Sequence, residues 1–277
     1  MKNLFILSLC LSSAFLSADE KSAASADISA IDQIPDLVQT DPAGNFARGG
    51  RSFCGPVSVS NSLVWLQAGS TVPFTDRKEQ YDVVNLLAST DYMNADPVEG
   101  VGAVKVIRGV KRFVEADLSD SRFKLSYQGW RSTPKGHFSG VREPELEWIR
   151  SFVGRSKSAW INLGWYRHDK ETNEYERVGG HWVTVVGYGV EESGKLNDQI
   201  LVIHDPSPRT GKDPNDYVLF TKLKSGTMAV SSSRKPRPAK GFYLMEGGMH
   251  IKSTADVAIM DGVVGLDLDG AEKEGAE

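Results

Sequence analysis

The sequence predicts an α+β fold, with helices dominating the first half of the chain and a mostly antiparallel sheet the second. Apolar residues recur at helical spacing through much of the first half. β-branched and aromatic runs bounded by polar turns take over after Ser158. No internal repeat interrupts this order.

The first helix is expected from Val57 to Leu66, mostly apolar on one face and closed by Gly69. A second begins near Thr75-Asp76, with Glu79 placed for a capping box, and runs through Tyr81, Val84 and Leu87. A third covers about Val104 to Glu115, where Val104, Ile107, Val110 and Val114 share a face. FKLSYQGW, Phe123 to Trp130, alternates as a strand does, and Glu145 to Val153 reads as a short helix stopped by Gly154. Strands then follow at Ser158–Tyr166, His181–Gly189, Gln199–Pro206, Tyr217–Leu223 and Gly241–Gly248. The charged hairpin between Arg167 and Val178 looks long enough to wall one side of a cleft.

Residues 19–40, rich in Ala, Ser and Asp, read as a linker before a domain spanning 41–250. Residues 251–277 read as a tail, apolar and then acidic, with a disordered end. Within it, Val257 to Leu268 is open between an edge strand and a cover over the cleft. Residues 1–18 have the layout of a signal peptide: Lys2, an apolar run from Leu4 to Leu16, then small residues. Cleavage after Ala18, or as late as Ala26, is expected to give an exported protein with no membrane insertion. The net charge of −4 gives no reason to expect nucleic acid as partner. Arg234-Lys235-Pro236-Arg237 is a local basic cluster best read as a solvated loop.

The chain has two cysteines, Cys10 and Cys54, and the first leaves with the leader. One thiol then remains in an oxidising compartment, as an inert buried group, half of an intermolecular disulfide, or a nucleophile. Cys54-Gly55-Pro56 places that thiol at a helix N-terminus, where the dipole and free amides favour a thiolate. Pro56 suits a first helical turn, and Gly55 lets the backbone pass close to a substrate carbonyl. The Cys54 amide is available to a developing oxyanion.

Five histidines compete as base. His137 and His168 lie in polar loops, and His250 has no obvious partner. His181 follows Gly179-Gly180, which leave the imidazole open at a strand start. Asp205 ends the next strand and can lie beside it, whereas His204 must point to the opposite face.

Together CGPVSVSNSLVWL, INLGWY, GGHWVTVVGYG and VIHDPSP resemble, in order over about residues 45–210, the C39-like branch of the papain-like cysteine peptidases. The resemblance implies a helical lobe carrying the nucleophile and a sheet lobe carrying His and Asp. It implies Cys54 as nucleophile, His181 as base then acid, Asp205 as the orienting group, peptide or protein as substrate, and no metal or cofactor. A Gln about six residues before the cysteine is the usual second oxyanion donor, but that position is Arg48 here. Gln39 and Asn45 are the candidate substitutes, Gln39 favoured. A non-catalytic peptide-binding module, an acyltransferase and a cell-wall amidase are alternatives on the same scaffold.

Overall fold

Helix α1 (Cys54–Gln67) is apolar or small all round, and thirteen of its fourteen residues are buried. Such a helix must be covered on every side. It ends where Gly69 and Ser70 turn left-handed, with Ser70 N donating to Trp65 O and Gly69 N to Leu66 O, both at 3.0 Å. Asp76 caps α2 (Arg77–Ala88), its carboxylate accepting from Glu79 N at 2.9 Å. In α3 (Ala103–Phe113) the buried face is Ala103, Val106, Ile107, Val110 and Phe113. Val104, expected on that face, is 44% exposed. Ile107, Val110 and Val114 are buried as expected, and Gly109 lets Met93 press against the helix, 2.4 Å from where a Cβ would stand. A short α4 (Leu146–Arg150) follows.

The computed structural model describes residues 25–118, 122–208, 216–229 and 235–270. The expected leader, Cys10 and the acidic C-terminal end lie outside them. Among the described residues, no helix is long and apolar enough to cross a membrane.

The strands are β1 (Lys124–Gly129), β2 (Lys157–Asp169), β3 (Glu174–Val190), β4 (Leu196–His204), β5 (Asp216–Lys222), β6 (Thr227–Ala229), β7 (Arg237–Pro238), β8 (Tyr243–Gly247) and β9 (Val257–Asp267). Antiparallel pairing runs β2–β3–β4–β5–β8–β9 and returns from β9 to β2, so these strands form a closed circuit. β1 joins it beside β9, and β6 pairs with β3 in parallel, which makes the sheet mixed. The fold is therefore α+β, with a large mixed sheet and few helices.

The two-residue period of the strands divides the apolar side chains. Ala159, Ile161 and Leu163 of β2 meet Val183 and Val185 of β3, Leu201 and Ile203 of β4, and Ala258 and Met260 of β9 in one core. Their neighbours Trp160, Trp182, Val186 and Val202 face α1 and α3 in another. Each fully buried side chain of this size contributes about 1.5–3 kcal/mol of transfer free energy.

Three expectations are corrected. The 251–277 tail contains β9, an interior strand flanked by β1, β2 and β8, with the nine residues Ala258 to Leu266 buried. The 19–40 linker is packed from Asp27 onward: Asp27 bridges to Tyr188, and buried Leu37 donates its N–H to Asn61 Oδ1 at 3.2 Å. The Arg167–Val178 hairpin does border a cleft, as expected: β2 runs on to Asp169 and β3 starts at Glu174, and Arg177 and Val178 line the cleft. Within the basic cluster, Arg237 stacks on Trp130 at 4.0 Å rather than standing in solvent.

Candidate active site

Cys54 is the first residue of α1, a free thiol that is 8% exposed. One turn later Ser58 Oγ donates to Trp182 O at 2.8 Å, and Thr184 Oγ1 donates to Ser58 O at 2.6 Å. A second clamp joins Ser62 Oγ to Ser158 Oγ and to Trp160 Nε1. These serines explain why a buried helix carries polar side chains: they fix α1 against β2 and β3. They set the thiol beside His181. Gly55 has a packing duty that sequence alone does not reveal, since a Cβ there would stand 2.2 Å from Val101 Cγ2. It admits Val101, whose carbonyl accepts from Trp182 Nε1 at 3.0 Å.

His181 lies inside β3, paired with Leu163, rather than at a strand start. It extends the inward row of Val185 and Val183 to the end of the circuit, where it stacks on Trp165 at 5.1 Å and 15°. The two preceding glycines do not leave the imidazole open. Gly179 makes room for Trp165 and Gly180 for Arg177, whose Nη2 would be 2.2 Å from an added Cβ. A bulge at Val178 interrupts the β2 register between Tyr166 and Trp165.

Asp205 follows the end of β4 and is 1% exposed. Its Oδ1 accepts from His181 Nε2 at 2.6 Å and from Ser207 N at 2.8 Å, and its Oδ2 accepts from His250 N at 2.9 Å. A carboxylate only accepts, so Nε2 carries the proton. Ser207 Oγ adds a contact at 3.1 Å to the same nitrogen. Nδ1 is thus the nitrogen left to face Cys54, which lines the same cleft and favours the charged ring. His204 turns the other way, toward Pro35 O.

Burial is the largest single influence on His181 and disfavours its charged form. The Asp205 charge and hydrogen bond, with Cys54, outweigh it and raise the imidazole above its ordinary value. For Asp205 burial again opposes, and the paired imidazolium with the His250 and Ser207 amides holds the carboxyl well below the usual carboxylate range. The arrangement suits a thiol whose proton moves to and from Nδ1 while Asp205 retains the proton on Nε2.

The two expected oxyanion donors part company. Gln39 is buried and lines the cleft with Cys54, but its Nε2 already donates to Gly50 O at 3.1 Å and Arg51 O at 2.8 Å. Asn45 is exposed and left-handed, closing a 3-10 turn away from the cleft. It is not part of the site. The Cys54 N–H, among the first four of α1, has no intrahelical acceptor and faces no such conflict.

The cleft has a volume of about 610 Å³ and holds residues that sequence reasoning missed. Asn162 and Trp165 of β2 reach it together with Ser207 and His250 from distant loops, and no local pattern links the three segments. Arg131 and Arg177 line it as well. Beneath them Asp261 of β9, fully buried, accepts from Arg177 Nε at 2.8 Å, Tyr166 Oη at 2.6 Å and Trp130 Nε1 at 3.0 Å. The Gly164–Gly180 cross-strand pair leaves the gap that the Arg177 side chain occupies on its way to Asp261.

A scan against protein-family models finds no match, and a search of curated proteins finds none either. The functional reading therefore rests on the site itself, in which Cys54, His181 and Asp205 meet from α1, β3 and the end of β4.

Proposed function

We propose that this chain is an exported cysteine hydrolase of the papain-like kind, in its C39-like branch, acting on peptide or amide bonds. The observation that carries the reading is the meeting of Cys54 and a His181 bonded to Asp205 in one cleft, with the thiol at a helix N-terminus. The papain-like assignment is supported by a nucleophile helix clamped to a closed antiparallel circuit whose adjacent strands bring His and Asp. Export rests on the leader-like composition of residues 1–18.

In this mechanism Cys54 Sγ, as a thiolate beside protonated His181, attacks the substrate carbonyl carbon. The oxygen turns toward the Cys54 N–H. The C–N bond breaks as His181 Nδ1–H gives its proton to the leaving amine, and a thioester remains. Water then attacks while Nδ1 takes one of its protons, the C–S bond breaks, and the acid is released. Asp205 keeps Nδ1 as the working nitrogen throughout. Gln39 Nε2 serves as second oxyanion donor if it exchanges the Arg51 carbonyl for the substrate oxygen.

The test compares wild type with Cys54→Ala on a proteome-derived peptide library read by mass spectrometry. Cleavage products absent from the variant support the proposal; products unchanged in it overturn it. A second reading, a peptide-binding module, draws on one observation, that both Gln39 amide protons are already engaged. A thiol that iodoacetamide alkylates rapidly at mildly acidic pH, with no turnover on any substrate, would favour it. An acyltransferase or cell-wall amidase shares the same chemistry, and substrate screening separates these.

A further inference from the structure

The cleft is more basic than the protein that carries it. Among the described Lys, Arg, Asp and Glu side chains that line it, Arg51, Arg131, Arg177 and Lys252 face Glu99, in a chain of net charge −4. Two of these cations are built in rather than merely solvated. Arg177 is 14% exposed and held by Asp261. Arg131 stacks on Trp130 at 4.7 Å, and its Nη1 is buried with no hydrogen-bond partner. The buried carboxylate beneath them, Asp261, is shared by Arg177, Tyr166 and Trp130, so Arg131 and Arg177 together with Asp261 carry a net positive charge. Burial and the nearby Arg177 charge both act to lower the Arg131 pKa, against the opposing pull of Asp261, as for two cations held close together.

The position is also informative. The Arg177 guanidinium lies against Gly180, and Arg131, Arg177 and His181 line one cleft. His181 delivers its proton to the leaving amine, so the leaving-group side of the substrate lies over this part of the cleft.

We propose that Arg131 and Arg177 form an anion subsite that binds a carboxylate on the leaving-group residue of the substrate. The placement relative to the cut rests on the hydrolase reading; the carboxylate site does not. The carboxylate has two possible sources, an acidic side chain or a free C-terminus, and guanidinium recognition suits both.

The experiment measures binding of three otherwise identical short peptides to full-length Cys54→Ala by fluorescence anisotropy. One ends in Gln-amide, one in Glu-amide and one in Gln with a free carboxylate. At least one carboxylate peptide should bind about tenfold tighter than Gln-amide, with the advantage shrinking as salt rises. Whichever binds tighter identifies the source. Arg131→Gln should erase the preference. Equal affinities, no binding of either carboxylate peptide, or a preference that survives Arg131→Gln would each overturn the subsite. Turnover of the same peptides by wild type is scored separately. Preference without turnover defeats the hydrolase reading alone, and turnover without preference defeats the subsite alone.

Discussion

Asp205→Asn isolates the charge of the site from its shape. With the amide oxygen in the Oδ1 position, the bonds to His181 Nε2 and Ser207 N survive. The new NH₂ then faces the His250 N–H that Oδ2 accepts at 2.9 Å, so one part-buried donor loses its partner, at about 1 kcal/mol. The imidazolium also loses its buried counter-charge, and removing one member of such a pair costs about 3–5 kcal/mol in full. Because the hydrogen bond to His181 is retained, a loss of about 2–4 kcal/mol near pH 6 is expected. The His181 pKa is raised in the folded protein, so its share of the stability is complete below the unfolded value of about 6.5 and lost as pH rises through the folded value. The Asp205 pKa is depressed, so the same interaction is present above about pH 4 and lost as pH falls through the folded value. It is one interaction and is counted once. Urea denaturation of both proteins across the pH range should show the largest difference between about pH 4 and 6.5, shrinking at alkaline pH. A difference that is independent of pH, or grows with it, would refute the ion-pair reasoning.

Three other perturbations address the scaffold. Asp261→Ala should lower stability by about 3–5 kcal/mol in thermal or urea denaturation, since it strands the Arg177 guanidinium and leaves Tyr166 Oη and Trp130 Nε1 without their acceptor. A loss under 1 kcal/mol would show that the cluster matters little. Gly55→Ala drives a methyl to within 2.2 Å of Val101 Cγ2, so about 1–3 kcal/mol should be lost together with activity, as α1 shifts from β3. Truncation after Asp256 deletes β9 and should abolish cooperative unfolding by circular dichroism, whereas a dispensable tail would leave the transition intact.

What was legible in the sequence followed from local pattern. The capping geometry at Asp76, the alternation in β1, the β-branched and aromatic runs of β2 and β4, and the Cys-Gly-Pro helix start each depend on a few neighbouring residues. His181 and Asp205 were identifiable because each sits in its own strand motif. β9 was misread because VAIMDGVVGLD is covered on both faces and does not alternate, while a carboxylate and two glycines interrupt its apolar run. Those interruptions have reasons that only distant contacts reveal. Asp261 answers Arg177, and a Cβ on Gly262 would stand 2.1 Å from Tyr127 Oη. The same holds for Gly179-Gly180, whose role is to admit Trp165 and Arg177. Gln39 and His250 come from segments without periodicity, and they reach the site through backbone bonds, Gln39 N to Pro206 O at 2.7 Å and His250 N to Asp205.

The most direct test of the Cys54–His181–Asp205 account is trapping of the acyl-enzyme. A peptide ester that the wild type turns over is mixed with the full-length protein, quenched in acid and mapped by mass spectrometry. The account predicts an acyl adduct on Cys54 that forms and decays with turnover and is absent from Cys54→Ala. Continued hydrolysis by Cys54→Ala, or turnover by wild type with the acyl group on another residue, would contradict it.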